Sequence, residues 1–133
     1  MTEFRIRDAA RLLGVSDDTV RRWVDAGHLA AHRDDAGRAV IDGANLAAHL
    51  RASAQVPDAD NPYASSARNR FTGIVTNVVS DTVMSQVELQ CGPFRVVSLM
   101  STEAVRDLDL TVGSLATAVV KATMVVVESP KEP

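Results

Sequence analysis

One cysteine, one tryptophan and one tyrosine in 133 residues leave several chemistries without their parts. Cys91 has no second thiol, which excludes an internal disulfide and a cysteine-built metal cluster. Aromatic residues amount to 4%, so any core must be assembled from Val, Leu and Ala. No apolar run approaches the roughly 18 to 20 residues that a membrane-spanning helix needs. The opening stretch, Met1 to Arg7, carries charges and no apolar segment, so no signal peptide is expected and a cytoplasmic location is. No glycine-rich phosphate loop is present, and Cys91 stands beside a Gly-Pro turn with no candidate base nearby. His28, His32 and His49 all fall in the first half and lack ligand-like spacing, so they read as surface or packing residues. No catalytic set emerges; neither an enzyme, a cofactor nor a bound metal is expected.

What is present is a globular composition, 46% hydrophobic and 23% charged, with a net charge of −3. Lysine occurs only at 121 and 131, against twelve arginines. Eight of those arginines lie in residues 1–52, balanced there by eight acids. The first part is therefore arginine-dense without being net basic, and binding to nucleic acid would require its arginines to gather on one face.

The pattern changes near residue 53. Ile6, Ala9, Ala10 and Leu13 recur at helical spacing, Gly14 interrupts, and Ser16 followed by Asp17 and Asp18 opens a second helix as a cap with acids in its first turn. That helix carries Val20, Trp23 and Val24 along one side and ends near Gly27. Two short extended pieces surround Asp34-Asp35-Ala36-Gly37, and a third helix begins near Asp42. Residues 53–65 hold two prolines and little periodicity, and read as a linker. From Phe71 the alternation is that of strands, with a short helix opened by Ser101 or Thr102. The run from Leu115 to Val127 is rich in β-branched residues and reads as a strand buried on at least one face. Lys121 stands alone within it. A buried ammonium needs a negative or strongly polar partner, and the segment offers no carboxylate before Glu128. Lys121 has two readings: it reaches solvent or a neighbouring acid, or it meets a bound anion.

The segment Arg7 to Leu29 has the anatomy of a helix-turn-helix, with small Ala9 and Ala10 at the helix contact and Asp17, Thr19, Arg21 and Arg22 displayed by the second helix. Ala10, Leu13-Gly14-Val15-Ser16, Thr19-Val20-Arg21-Arg22-Trp23 and Gly27-His28-Leu29 resemble the MerR/excisionase type of winged helix-turn-helix over about residues 4–50. The resemblance implies that Arg21 and Arg22 contact DNA, that Arg33 and Arg38 on the wing hold phosphates, and that Thr19 touches bases or phosphate. The alternative for the Arg21-Arg22 pair is a solvated helix surface. Trp23, on the apolar stripe, belongs to the core.

The second half carries Ser66-Ala67-Arg68-Asn69, Phe71, Gly73, Val75, Met84, Val87, Leu89, Met100-Ser101, Leu108, Leu110, Gly113 and Val120-Lys121-Ala122-Thr123. These positions resemble the Mop (molbindin, TOBE) family of small oxyanion-binding barrels over about residues 66–128. The resemblance implies that Ser66, Arg68, Ser101 and Lys121 contact the anion, that Ala122 adds a backbone N–H, and that sites form between subunits. A tetrahedral dianion presents only acceptors, so a site made of hydroxyls, N–H groups and cations suits it. One departure stands out: the family's second hydroxyl is replaced by Ala104. For Arg68 the alternative is a structural fork holding residues 67–71.

The fold expected is thus α+β in two small domains: a winged helix-turn-helix in 1–52, a linker in 53–65, and an OB-like small β-barrel of the Mop/TOBE kind in 66–129. The function expected is a DNA-binding transcriptional regulator that responds to molybdate or tungstate. Its expected partners are double-stranded DNA, the oxyanion and copies of itself (a dimer or a trimer of dimers), with no membrane. A storage or buffer protein, whose helix-turn-helix serves assembly, is the alternative.

Overall fold

The computed structural model describes residues 2–53 and 62–130. The chain divides into two compact units, Met1–Val56 and Pro57–Pro133. Most of the expected linker, residues 54–61, lies outside the described residues.

In the first unit, strand β1 (Glu3–Arg5) leads directly into helix α1 (Ile6–Leu13), and α2 (Asp17–Asp25) follows after a tight turn. Gly14 makes that turn at φ 69°, a left-handed conformation that costs glycine nothing, and its N–H bonds back to the carbonyls of Ala10 and Arg11. Ser16 opens α2 by accepting the Thr19 N–H at 3.1 Å. Strands β2 (His32–Arg33) and β3 (Ala39–Asp42) form the wing, and α3 (Gly43–Ser53) closes the unit. The sheet order is β1-β3-β2. Strand β1 has no counterpart in the sequence reading; three residues are too short to show a period, and pairing with β3 defines them. Ile6, Ala9, Ala10, Val20, Leu29, Ile41 and Leu46 make one core, with Phe4, Trp23 and Val24 packed against it. Val20 and Ile41 are fully buried, each contributing about 1.5–3 kcal/mol of transfer free energy.

The second unit is an antiparallel sheet of β4 (Asn69–Ser80), β5 (Met84–Cys91), β6 (Phe94–Ser101) and β7 (Leu115–Val120) in the order β6-β5-β4-β7. The sheet curls into a half-barrel, so the α+β class and both expected domain types are present. Helix α4 (Thr102–Asp107) packs Val105 against Val75, Val87, Leu89 and Cys91. A register shift between Val75 and Asn77 bends β4. Gly73 is required by close approach: a Cβ there would lie 2.1 Å from the Gln90 carbonyl oxygen and 2.8 Å from Cys91 Sγ. At the β4–β5 turn, Ser80, Ser85 and Thr102 form a chain of hydroxyls (2.6 and 2.8 Å), and Thr102 donates on to the Asp81 carbonyl at 2.9 Å. Buried Ser85 is thereby satisfied.

One expectation is overturned. The apolar run from Leu115 does not continue as a buried strand: β7 ends at Val120, Lys121 is exposed, and Ala122–Met124 form a 3-10 turn. The reason is pairing. The last rung of the β4–β7 ladder joins Asn69 to Val120, and β4 does not extend beyond it. Residues 125–127 keep their β-branched composition but have no neighbouring strand among the described residues, and Val126 and Val127 are 84% and 87% exposed.

Candidate functional site

Two groups of the expected oxyanion residues emerge at opposite ends of the half-barrel sheet. At one end, the Asn69–Val120 rung places Arg68 and Lys121 as the next residues on neighbouring chain segments. Asn69 latches this end by donating from Nδ2 to the Val120 carbonyl at 3.1 Å. That role was missed in the sequence, although a polar residue opening a strand and facing inward is a signal of it. Ser66 lies just upstream, in a turn where Ser65 Oγ accepts the Ala67 N–H at 3.1 Å and the Ser65 carbonyl accepts from Arg68 Nη1 at 3.4 Å. Lys121 precedes the 3-10 turn, whose first amide belongs to Ala122; leading amides of such a turn have no partner within it. Ser66, Arg68, Lys121 and Ala122 are all exposed. Among the described residues neither Arg68 nor Lys121 forms an ion pair, whereas Arg21, Arg38 and Arg95 each do. The group is therefore two cations without a counter-charge, a hydroxyl and an N–H, all donors, which is the donor set an oxyanion requires.

Ser101 is at the other end. It pairs with Met84, beyond the Ser80–Ser85 rung, while Arg68 precedes the first residue of the 12-residue β4. The separation along the strands is on the order of 30 Å. Ser101 and Lys121 of one chain therefore cannot grip the same small anion. Ser101 also has a local task, capping α4 by accepting the Ala104 N–H at 3.0 Å. Its own hydroxyl hydrogen remains available to a further acceptor. Ala104 occupies the position of a missing hydroxyl, and its amide is already used by this cap.

In the first unit, α2 presents Arg21 and Arg22 to solvent, with Thr19 half-buried. Arg21 Nη1 lies 3.5 Å from Asp18 Oδ1, and Arg22 Nη2 donates to Thr19 Oγ1 at 3.2 Å. The wing is organised by Asp34, whose carboxylate accepts the N–H groups of Ala36 (3.0 Å) and Arg38 (2.9 Å) and pairs with Arg38 Nε at 3.0 Å. Arg33 Nη1 donates to the Gly37 carbonyl at 2.8 Å. Both wing arginines are thus fixed to one turn, and Asp34 is a residue that sequence reasoning did not single out; an Asp at the first position of a turn is its signal. His32 bonds Glu3 at 2.9 Å across the small sheet, and the His49 ring packs tilted against Trp23, centroids 4.9 Å apart.

Comparison with known proteins adds the following. Residues 65–127 match the TOBE domain, and residues 3–54 match a helix-turn-helix domain. Over 63 residues, 47% of the chain, there is 40% identity to a probable molybdenum-pterin-binding protein of Haemophilus influenzae, covering 91% of that protein. Over a 63-residue stretch there is 38% identity to the molybdenum transport protein ModE of Herbaspirillum seropedicae, and there the match covers 23% of the relative's length. Among solved structures, a molybdate-binding protein from Sporomusa ovata is 33% identical over 50% of this chain and 100% of its own, with a TM-score of 0.49.

Proposed function

The chain belongs to the TOBE domain family, and we propose that it is an oxyanion-responsive regulator. On this reading the C-terminal domain, residues 66–129, binds molybdate or tungstate, and the N-terminal domain, residues 1–52, binds duplex DNA. The observation that carries it is the pair of cations, Arg68 and Lys121, without an ion-pair partner among the described residues and adjacent, next to Ser66, at one end of the sheet. Like charges left together without a carboxylate repel one another, and a dianion relieves that repulsion. Names of relatives that bind molybdate or molybdenum-pterin favour molybdenum oxyanions as the ligand class.

Ser101 joins this reading only through a second subunit. One chain brings Arg68 and Lys121, and Ser101 of another copy reaches the same anion. The exposed apolar residues of the second unit support assembly: Leu99 is 72% exposed, Leu115 77%, and the unpaired Val126 and Val127 more still. An anion shared by two subunits would fix the spacing of two helix-turn-helix domains, and with it the half-sites they read. Arg21, Arg22, Arg33 and Arg38 are the DNA contacts. A location in the cytoplasm, where both DNA and the intracellular oxyanion pool are found, follows from this role.

A storage protein is the second reading, and one observation favours it: Arg21 and Arg38 are each already paired with an acid, which lowers the positive field available to DNA. Duplexes selected from random DNA separate the two. Regulation predicts tight binding that weakens steeply with salt and changes at least fivefold on adding molybdate, an effect lost in Lys121→Ala. If wild type selects no duplex yet still takes up molybdate, storage is the correct reading.

A further inference from the structure

The two adjacent arginines of α2 are held by different kinds of partner. Arg21 faces Asp18 in an ion pair at 3.5 Å, open to solvent on both sides. Arg22 ends a chain of neutral groups: its Nη2 donates to Thr19 Oγ1 at 3.2 Å, and Thr19 Oγ1 lies 2.9 Å from Ser16 Oγ. Ser16 Oγ in turn accepts the Thr19 N–H at 3.1 Å, which ties the chain to the backbone. Thr19 is β-branched and restricted at χ1, so its hydroxyl is a stiff anchor.

The hydrogens can be counted. Each hydroxyl has one hydrogen and two acceptor sites. Thr19 Oγ1 accepts from Arg22 and Ser16 Oγ accepts from the Thr19 amide, so one hydroxyl hydrogen spans the two oxygens and the other stays free to donate. Nothing in the chain bears negative charge. A phosphate approaching Arg22 therefore displaces no carboxylate, whereas one approaching Arg21 competes with Asp18. The Arg21 pair, being exposed, also fixes its guanidinium only weakly.

We propose that Thr19 is a positioning residue, holding Arg22 in place through its hydroxyl so that Arg22, and not Arg21, is the main phosphate anchor of α2. On this proposal Thr19 acts through Arg22 rather than by touching DNA itself, and it rests on the DNA-binding reading of the first unit. Holding the guanidinium in place before contact lowers the ordering cost of binding.

The test uses the full chain, duplex selected from random DNA and a salt series, with Thr19→Val, Thr19→Ser, Arg22→Ala and the double variant Thr19→Val/Arg22→Ala. Thr19→Val keeps the backbone bond to Ser16 and removes only the hydroxyl. It is expected to weaken binding about threefold to tenfold, and Thr19→Ser to restore it. Arg22→Ala is expected to weaken binding at least as much and to flatten the salt slope by about one phosphate. The double variant should bind no more weakly than Arg22→Ala alone. Additive losses in the double variant overturn the proposal, as does a Thr19→Val protein that changes base preference at one position with its salt slope intact. Should Thr19→Val lower the melting temperature, Thr19→Ser decides: failure of the serine to restore binding overturns the proposal. Absence of salt-dependent binding by wild type is a different result, since it removes the DNA-binding reading itself.

Discussion

The two units solve the problem of a small core in opposite ways. The first closes on itself: among its described large apolar residues only Leu12 and Leu50 are substantially exposed. The second has, among its described residues, a core cluster of five buried residues and leaves many large apolar side chains exposed, from Phe71 and Ile74 to Val127. Its cations differ too. Arg21 and Arg38 of the first unit are paired with acids and Arg33 is tied to a turn, while in the second unit Arg95 is paired with Glu88 but, among the described residues, Arg68 and Lys121 form no ion pair. The contrast separates a surface made ready in a single chain from one that, on the proposed reading, is finished only by other molecules: an anion and further copies.

The largest effect is expected at Gly73. A methyl group there would meet the Gln90 carbonyl at a distance no packing adjustment can relieve, so Gly73→Ala should cost about 3 kcal/mol or more. Calorimetric melting should show the second unit's transition displaced or lost and the first unit's unchanged. Next in size is Val126→Asp. Val126 touches little within its own chain, so the stability of the isolated unit should change by no more than about 0.5 kcal/mol. Assembly, read by analytical ultracentrifugation, should weaken about tenfold or more.

The two serine caps give a matched, smaller pair. Ser16 and Ser101 each accept one N–H at the start of a helix, so Ser16→Ala and Ser101→Ala should each cost about 1 kcal/mol in its own unit by chemical denaturation. Only Ser101→Ala should also lower anion affinity. The smallest effect concerns acid. Asp81 accepts the N–H groups of Val83 and Met84, both at 2.7 Å, and these bonds hold its carboxyl below the ordinary 3.8. Glu88 is likewise held below 4.5, chiefly by Arg95. A lowered folded value means stability that is present above the ordinary pKa and lost as pH falls through the lowered one. The second unit should therefore weaken below about pH 4, and Asp81→Asn should flatten that dependence when melting is followed from pH 6 to pH 2.

Much of the first unit was legible because its signals are local. The spacing of Ile6, Ala9, Ala10 and Leu13, the turn at Gly14 and the cap at Ser16 all act within a few residues, and each stands where the sequence put it. Strand β1 was not legible, since pairing with β3 alone makes it a strand. The same physics explains the main error in the second unit. Composition from Leu115 to Val127 announces a strand, but a strand also needs a neighbour, and the ladder ends at the Asn69–Val120 rung. Of the candidate site, residue types and the kinship of Arg68 with Lys121 could be read in the chain. The placement of Ser101 at the far end of the sheet could not, because it depends on strand order.

On the proposed function, one chain carries two separated halves of an oxyanion site. Molybdate titrated into wild type and into Lys121→Ala, with calorimetry and native mass spectrometry on the same samples, tests it most directly. Wild type is expected to give binding heat, with molybdate on assembled species alone, and Lys121→Ala to bind with affinity lower by about tenfold to a hundredfold. Molybdate held by a single chain, or held equally well without the Lys121 ammonium, would contradict it.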